Sequence, residues 1–311
     1  MTLVVNCCFH LKGPGRPPRN PVGLFKAYLA KQFLNISSMR ALERRLWNDE
    51  RLRAICNLEA DEPAYGRTVL SRFNKRLGTR KMRRLVERQV EKLLRKGMVK
   101  AETVAVDATF IKAYSRRDHD KKRGYSDAEA RVGRAYRTYG LGYKLHLSVD
   151  TASGEPLTFT VAPANANEKR FSIPLLNAVM KFPRSRIREV TADTQYSSRR
   201  FRAYTESSGM VTAVPYAANQ KPPCDGVLRV DRDFRTHGPV QLRRLYRKRS
   251  IIELVFAQLK EHLSLTVHKV RGIAKIIIHV GYCLLCLLFI VEASYNSNQP
   301  VKARSITYWA N

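Results

Sequence analysis

TVAVDATFIKAY, residues 103–114, is where the chain changes character. Upstream, from Val22 to Gly97, apolar residues recur at helical spacing. From Thr103 onward short apolar runs alternate with helical segments. The quoted run reads as a strand buried around Val104 and Val106. It carries Asp107 directly after that apolar centre, where a charge is costly unless it sits at a strand end or has a partner. Working downstream, GYKLHLSVD (142–150) alternates like a strand, TASGEP turns, and LTFTVAP (157–163) forms another strand. NEKRFSIPLLNAVMKF holds a helix, and IREVTAD (187–193) is a strand that ends on a second carboxylate, Asp193. Ser198 to Ser207 is helical with Gly209 past its end, and MVTAVPY (210–216) is again a strand. A long helix is expected from about Val240 to Leu263 and an apolar one from about Ile273. This order predicts an α/β fold, a mixed sheet with flanking helices. Residues 115–141 are charged and poor in large apolar side chains, and read as a mobile surface insertion.

The composition narrows the partners. Among 311 residues, 57 Lys and Arg face 26 Asp and Glu, a formal net charge of +31. Such a chain is drawn to a polyanion, nucleic acid first and a membrane surface as the rival. A hydrophobic share of 44% excludes a disordered or collagen-like chain and suffices for a sizeable core. Residues 1–100 hold 23 Lys and Arg against 8 Asp and Glu, so the N-terminal third is the more densely charged. The expected organisation is a basic, Pro-rich segment (1–21), a helical DNA-binding domain (22–100), an α/β domain (101–295) and a C-terminal tail (296–311). Ser37 or Ser38 and Thr79 are helix caps, and TVLSRFNKRLG is a short basic helix ending at Gly78. Arg72, Lys75, Arg76, Arg80, Lys81, Arg83 and Arg84 cluster there and are candidates for DNA backbone contact. Cys7, Cys8, Cys56, Cys224, Cys283 and Cys286 form no disulfide framework, which points to a reducing compartment. The first ten residues show no secretory leader. Ile276 to Val291 is too short and too interrupted by His279, Gly281 and Tyr282 for a bilayer crossing and reads as a buried core helix.

The stretch YRKRSIIELVFAQLK (246–260) adds a third acid in unusual company. At about 100° per residue, Tyr246, Arg249, Glu253 and Lys260 fall within a stripe of roughly 60°. Ile251, Ile252, Val255 and Leu259 lie on the other side. A plain i,i+4 salt bridge explains Arg249 with Glu253 but leaves the tyrosine and lysine in line with it unaccounted for. Lys144 and His146 project to one side of their strand; Lys144 is a candidate DNA contact and His146 a candidate neighbour of the acids, against ordinary strand-surface placement for both. Cys283 and Cys286 with His279 lie in one apolar run and read as core residues. Asp225, Asp231 and Asp233 lack a preceding strand and rank below Asp193 as the second acid.

The spacing Y-x2-R-x3-E-x6-K resembles the Y-R-E-K signature of DDE transposases from prokaryotic insertion sequences. Asp107 in VAVDAT resembles that family's first acid. Asp193 in TADTQYSS resembles its second, with Gln195 standing where glycine is usual. The stretch from GRPP through SRFNKRLG resembles the helical domain that precedes the catalytic core in one subgroup. The resemblance implies a ribonuclease-H-like fold in which Asp107, Asp193 and Glu253 hold Mg2+ or Mn2+, two ions in all. It implies cleavage of element ends and joining to target DNA, with Tyr246, Arg249 and Lys260 on phosphates. A homodimer or larger assembly on DNA follows, with no membrane, in the cytoplasm on chromosomal DNA. The alternatives are a nucleophilic Tyr246, a non-catalytic basic DNA-binding protein derived from such an enzyme, and a related nuclease.

Overall fold

The computed structural model describes residues 19–115, 124–216 and 239–310. Most of the Pro-rich segment, Cys7, Cys8, Cys224 and the rival aspartates Asp225, Asp231 and Asp233 lie outside the described residues.

The N-terminal part is helical for reasons local to its sequence. Helix α1 (Pro21–Phe33) starts where Asn20 Oδ1 accepts from the Val22 and Gly23 amides, with proline in the first turn. Ser38 Oγ accepts from the Ala41 amide at 3.1 Å to open α2 (Met39–Asn48), and Asp49 opens α3 (Glu50–Ile55) in the same way. Helix α4 (Arg67–Arg95) is two helices end to end. Gly78 breaks it at φ +66°, a conformation glycine adopts at little cost. The basic helix therefore ends at that glycine and the next begins at Thr79.

Six strands form one mixed sheet among the described residues: β1 (Thr103–Lys112), β2 (Arg131–Ala135), β3 (Thr138–Asp150), β4 (Pro156–Pro163), β5 (Glu189–Ala192) and β6 (Val211–Ala213). The order is β2-β3-β1-β5-β6, with β4 also paired to β3. β1 is the hinge of the topology, antiparallel to β3 and parallel to β5. Helix α5 (Ser172–Met180) connects β4 to β5, and α6 (Arg199–Ser207) connects β5 to β6.

Two expectations need correction. Residues 131–135 and 138–141, assigned to a mobile insertion, are strand β2 and the start of β3. Both sides of this hairpin face solvent over much of its length, so it has no hydrophobic alternation to betray it. Main-chain pairing from Arg131↔Gly142 to Ala135↔Thr138 forms it instead. The single helix expected from Val240 to Leu263 is α7 (Val240–Arg247) followed by α8 (Ser250–Glu261). Between them the main chain tightens to three-residue bonds, Lys248 N to Leu245 O at 3.1 Å and Arg249 N to Tyr246 O at 3.0 Å.

Helix α9 (Ile273–Asn296) is apolar and long enough to cross a membrane, yet its apolar length is almost entirely buried inside the protein. It packs against α4, α1 and β4, so the N-terminal helices and the sheet share one hydrophobic core. Tyr282 stacks on Tyr28 at 4.9 Å, and His279 Nδ1 pairs with the Gln32 amide at 3.0 Å. Cys283 and Cys286 are buried thiols in this helix, bonded to the Leu263 and Leu29 carbonyls. A short helix α10 (Ile306–Ala310) closes the described chain.

Glu292 fastens α9 to α4. Its carboxylate pairs with Lys92 at 2.6 Å and accepts from Gln89 at 2.8 Å and Lys96 at 3.0 Å. Burial alone would raise its pKa, but these three donors together bring it down to about 2. A carboxyl depressed in the fold stabilises above its unfolded pKa and loses that contribution as pH falls through the folded value. Glu292→Gln should lower stability at neutral pH by about 2 kcal/mol. In denaturant melts the deficit should shrink as pH falls from 4.5 towards about 2.

Candidate active site

The acids arrive by register. β1 and β5 run parallel with Val106 opposite Ala192, so the next pair is Asp107 beside Asp193. β5 ends there and Asp193 turns the chain into a short 3-10 helix (Thr194–Tyr196), its Oδ1 accepting from the Thr194 amide at 2.7 Å. The two carboxylates thus stand side by side, Asp193 at the carboxyl end of β5 and Asp107 midway along β1, where pairing with β5 has ended and pairing with β3 continues.

Glu253 comes from α8, whose buried face of Ile252, Val255, Phe256 and Leu259 turns inward while α8 packs on β1. Arg249 at its start links the acids. Its Nη1 donates to Asp107 Oδ2 at 2.7 Å and its Nη2 donates to Glu253 Oε1 at 2.6 Å. The Tyr246 ring lies 5.6 Å from the guanidinium carbon. Lys260 is partly buried two turns beyond Glu253, and burial lowers its pKa. Tyr246, Arg249, Glu253 and Asp107 are therefore brought into one contiguous group, with Asp193 one strand over.

Asp107 also accepts from the Ala108 amide at 2.7 Å. Burial pushes its pKa up to about 7, against the Ala108 amide and Arg249, with Asp193 and Glu168 adding repulsion. Arg249 is raised as well, but by its partners: burial would lower it, and Asp107, Tyr246 and Glu253 hold it above its ordinary value. One arginine attracts both acids, but it does not offset the cost of burying the Asp107 carboxylate.

Lys144 and His146 lie behind the acids. Asp107 pairs with Leu147 across the sheet, whereas Lys144 pairs with Phe110 and His146 with Ala108. Directly opposed residues share a face, so both side chains occupy the face away from Asp107. Neither has ordinary strand-surface placement. The Lys144 ammonium is held by Glu168. His146 is fully buried, stacks on Phe171 at 4.1 Å and pairs with the Tyr196 hydroxyl at 3.0 Å. Burial and Lys144 push its pKa down to about 3, which keeps it neutral. Through Tyr196, three residues past Asp193, it anchors the turn that carries the second acid.

Glu168 escaped the sequence reading. It lies close enough to raise Asp107 and Tyr196 electrostatically. With its amide nitrogen turned inward, Gln195 donates to both Glu168 oxygens at 3.0 and 3.1 Å. The non-glycine residue after Asp193 thus has a partner. An open cavity of about 310 Å³ lies here, lined by Lys144, Asn167, Glu168, Lys169, Thr194 and Gln195. The only sequence signal was an Asn-Glu pair after a strand end, with Asn167 capping the turn that presents Glu168.

Of the basic cluster on α4, Arg72, Lys75, Arg76, Arg80 and Arg84 are exposed, and Lys81 is partly buried. Arg83 instead packs on the Phe159 ring and donates to its carbonyl at 3.0 Å.

A mixed sheet flanked by helices, with acids on adjoining strands, is a ribonuclease-H-like fold. The structure of the piggyBac transposase synaptic complex with hairpin DNA matches over 99% of this chain and 74% of that one, at 10% identity and a TM-score of 0.50. The Mos1 mariner paired-end complex with Mn matches over 88% and 78%, at 14% identity and a TM-score of 0.25. A transposase DDE domain model matches residues 99–289, more than half of the chain, and a transposase domain of the DUF772 type matches residues 4–76. The chain belongs to the DDE transposase family. No curated protein matches it.

The raised pKa of Asp107 has a stability signature. A carboxyl raised from 3.8 to about 7 loses stability as pH rises across that window. With chelator present, Asp107→Asn should match the wild type near pH 4 and exceed it by on the order of 4 kcal/mol at pH 8. Thermal melts across this range test the sign.

Proposed function

We propose that this chain is a DNA transposase that cleaves the ends of its element and joins the freed 3′-hydroxyls to target DNA by metal-dependent phosphoryl transfer. The observation that carries the reading is the acid pair Asp107 and Asp193, adjacent by parallel register and linked to Glu253 through Arg249. The Tyr246, Arg249, Glu253 and Lys260 spacing supports assignment to the Y-R-E-K subgroup.

Whether these residues suit a divalent ion is a question of donor chemistry. Among the described residues no three acidic, histidine or cysteine side chains converge as a finished ion site. A cation, Arg249, already sits between Asp107 and Glu253. Three carboxylates are hard oxygen donors of the kind that Mg2+ and Mn2+ prefer. The set therefore fits Mg2+ or Mn2+, with Asp107, Asp193 and Glu253 as ligands. Bound there, two such ions supply activation of a water or 3′-hydroxyl and stabilisation of the leaving oxygen.

The chain's own groups do the rest. Arg249 offers paired donors to a phosphate and exchanges an acid for it, Lys260 adds a point charge, and Tyr246 donates its hydroxyl. Lys144 meets a phosphate only by exchanging Glu168. Arg72, Lys75, Arg76, Arg80 and Arg84, with Lys81 beside them, hold the DNA backbone along α4. Two ends must be held together, so the working form is a dimer or larger assembly on chromosomal DNA.

The test is strand cleavage and joining on DNA carrying the sequences that flank the coding region, with Mg2+ and with Mn2+. Asp107→Asn, Asp193→Asn and Glu253→Gln should each lower the rate by about a thousandfold or more. Full activity in all three would refute the assignment. Salt-sensitive binding without cleavage under either metal would favour the non-catalytic alternative.

A further inference from the structure

The β2–β3 hairpin has no part in the acid site, yet it has the features of a built contact element. β1 stops pairing at Lys112↔Gly142, so Gly133↔Gly140, Arg134↔Tyr139 and Ala135↔Thr138 stand beyond it as a two-stranded ribbon. The ribbon's base is fixed by close backbone packing. A Cβ on Gly133 would meet the Ala164 carbonyl at 2.1 Å, and one on Gly142 the Ile111 carbonyl at 2.2 Å. Its tip is open, with Tyr136 82% and Tyr139 78% exposed. Arg131, Arg134 and Arg137 are exposed beside them, and residues 130–147 contain no acid.

The tip is also strained. Tyr136 has φ +59°, a region a bulky side chain rarely occupies and where hairpin turns favour glycine, asparagine or aspartate. Such strain at an exposed position marks a side chain kept for contact rather than for folding. Arg134 Nε donates to the Tyr136 carbonyl at 3.2 Å, and the Arg137 guanidinium lies 5.3 Å from the Tyr136 ring. Cations and rings are thereby held in place before any partner arrives.

Register sets the direction. Asp107 pairs with Leu147, and Tyr139 lies eight residues earlier on the same strand and face, opposite Arg134. At about 3.3 Å per residue the ribbon reaches roughly 26 Å past the acid edge. That distance corresponds to about eight base pairs at 3.4 Å each. A two-stranded ribbon is one of the two elements a major groove admits.

Building on the DNA reading above, we propose that the β2–β3 ribbon seats in the major groove of duplex DNA lying across the acid edge, with Arg134 and Arg137 on phosphates and Tyr136 and Tyr139 against the groove wall. Arginine interleaved with tyrosine, without acids, complements a phosphate-lined groove.

The test measures binding of the full-length protein to a labelled duplex of about 30 base pairs at several salt concentrations. Arg134→Ala with Arg137→Ala should weaken binding about tenfold near physiological salt and make the salt slope shallower by about two. Tyr136→Gly removes the strain, so it should keep or raise the melting temperature while weakening binding several-fold. That result separates contact from folding. Wild-type binding matched in affinity and slope by both variants would overturn the ribbon's role and leave the DNA reading intact. A wild type that binds no duplex at all would overturn both.

Discussion

Buried carboxylates gathered at one point repel each other unless positive charge stands among them. The region around Asp107 is organised by that constraint. Parallel pairing of β1 with β5 sets Asp107 next to Asp193, and Glu168 adds further negative charge nearby. Arg249 answers from the start of α8, one donor on Asp107 and one on Glu253. Burial keeps Asp107 raised despite the arginine. In the proposed reaction a divalent ion takes the arginine's place between the acids and frees it for a phosphate.

The acids are positioned from both sides of the sheet. On one side α8 packs on β1 and is followed by the buried helix α9, which the N-terminal helices also share through Tyr282 and Tyr28. On the other, His146 and Phe171 hold Tyr196 and with it the turn behind Asp193. The basic face of α4 is thus tied through one core to the sheet that carries the acids.

Much of this is legible in the amino-acid sequence. β1 and β5 were readable because VAV and EVTA are buried runs that end in a carboxylate, a combination burial energetics disfavours without a purpose. The end of the first basic helix was readable at Gly78, and α9 from its long, predominantly apolar run. The β2–β3 ribbon was not, because exposed strands held by main-chain pairing leave no periodic trace in side-chain polarity. Glu168 was hidden for a different reason: its neighbours Lys144 and Gln195 come from 24 and 27 residues away, and local sequence carries no sign of them. The tightened turn between α7 and α8 was also invisible, since no glycine or proline marks it, although the Arg249 and Glu253 pairing survives it.

The central claim is that Asp107, Asp193 and Glu253 share a divalent ion. Anomalous diffraction from crystals of the full-length protein with duplex DNA and Mn2+ tests it without relying on turnover. The account predicts manganese peaks within ligand distance of all three carboxylates, with Arg249 turned from at least one acid to a phosphate. Manganese bound elsewhere, or Arg249 still bridging Asp107 and Glu253 with no ion beside Asp193, would contradict it.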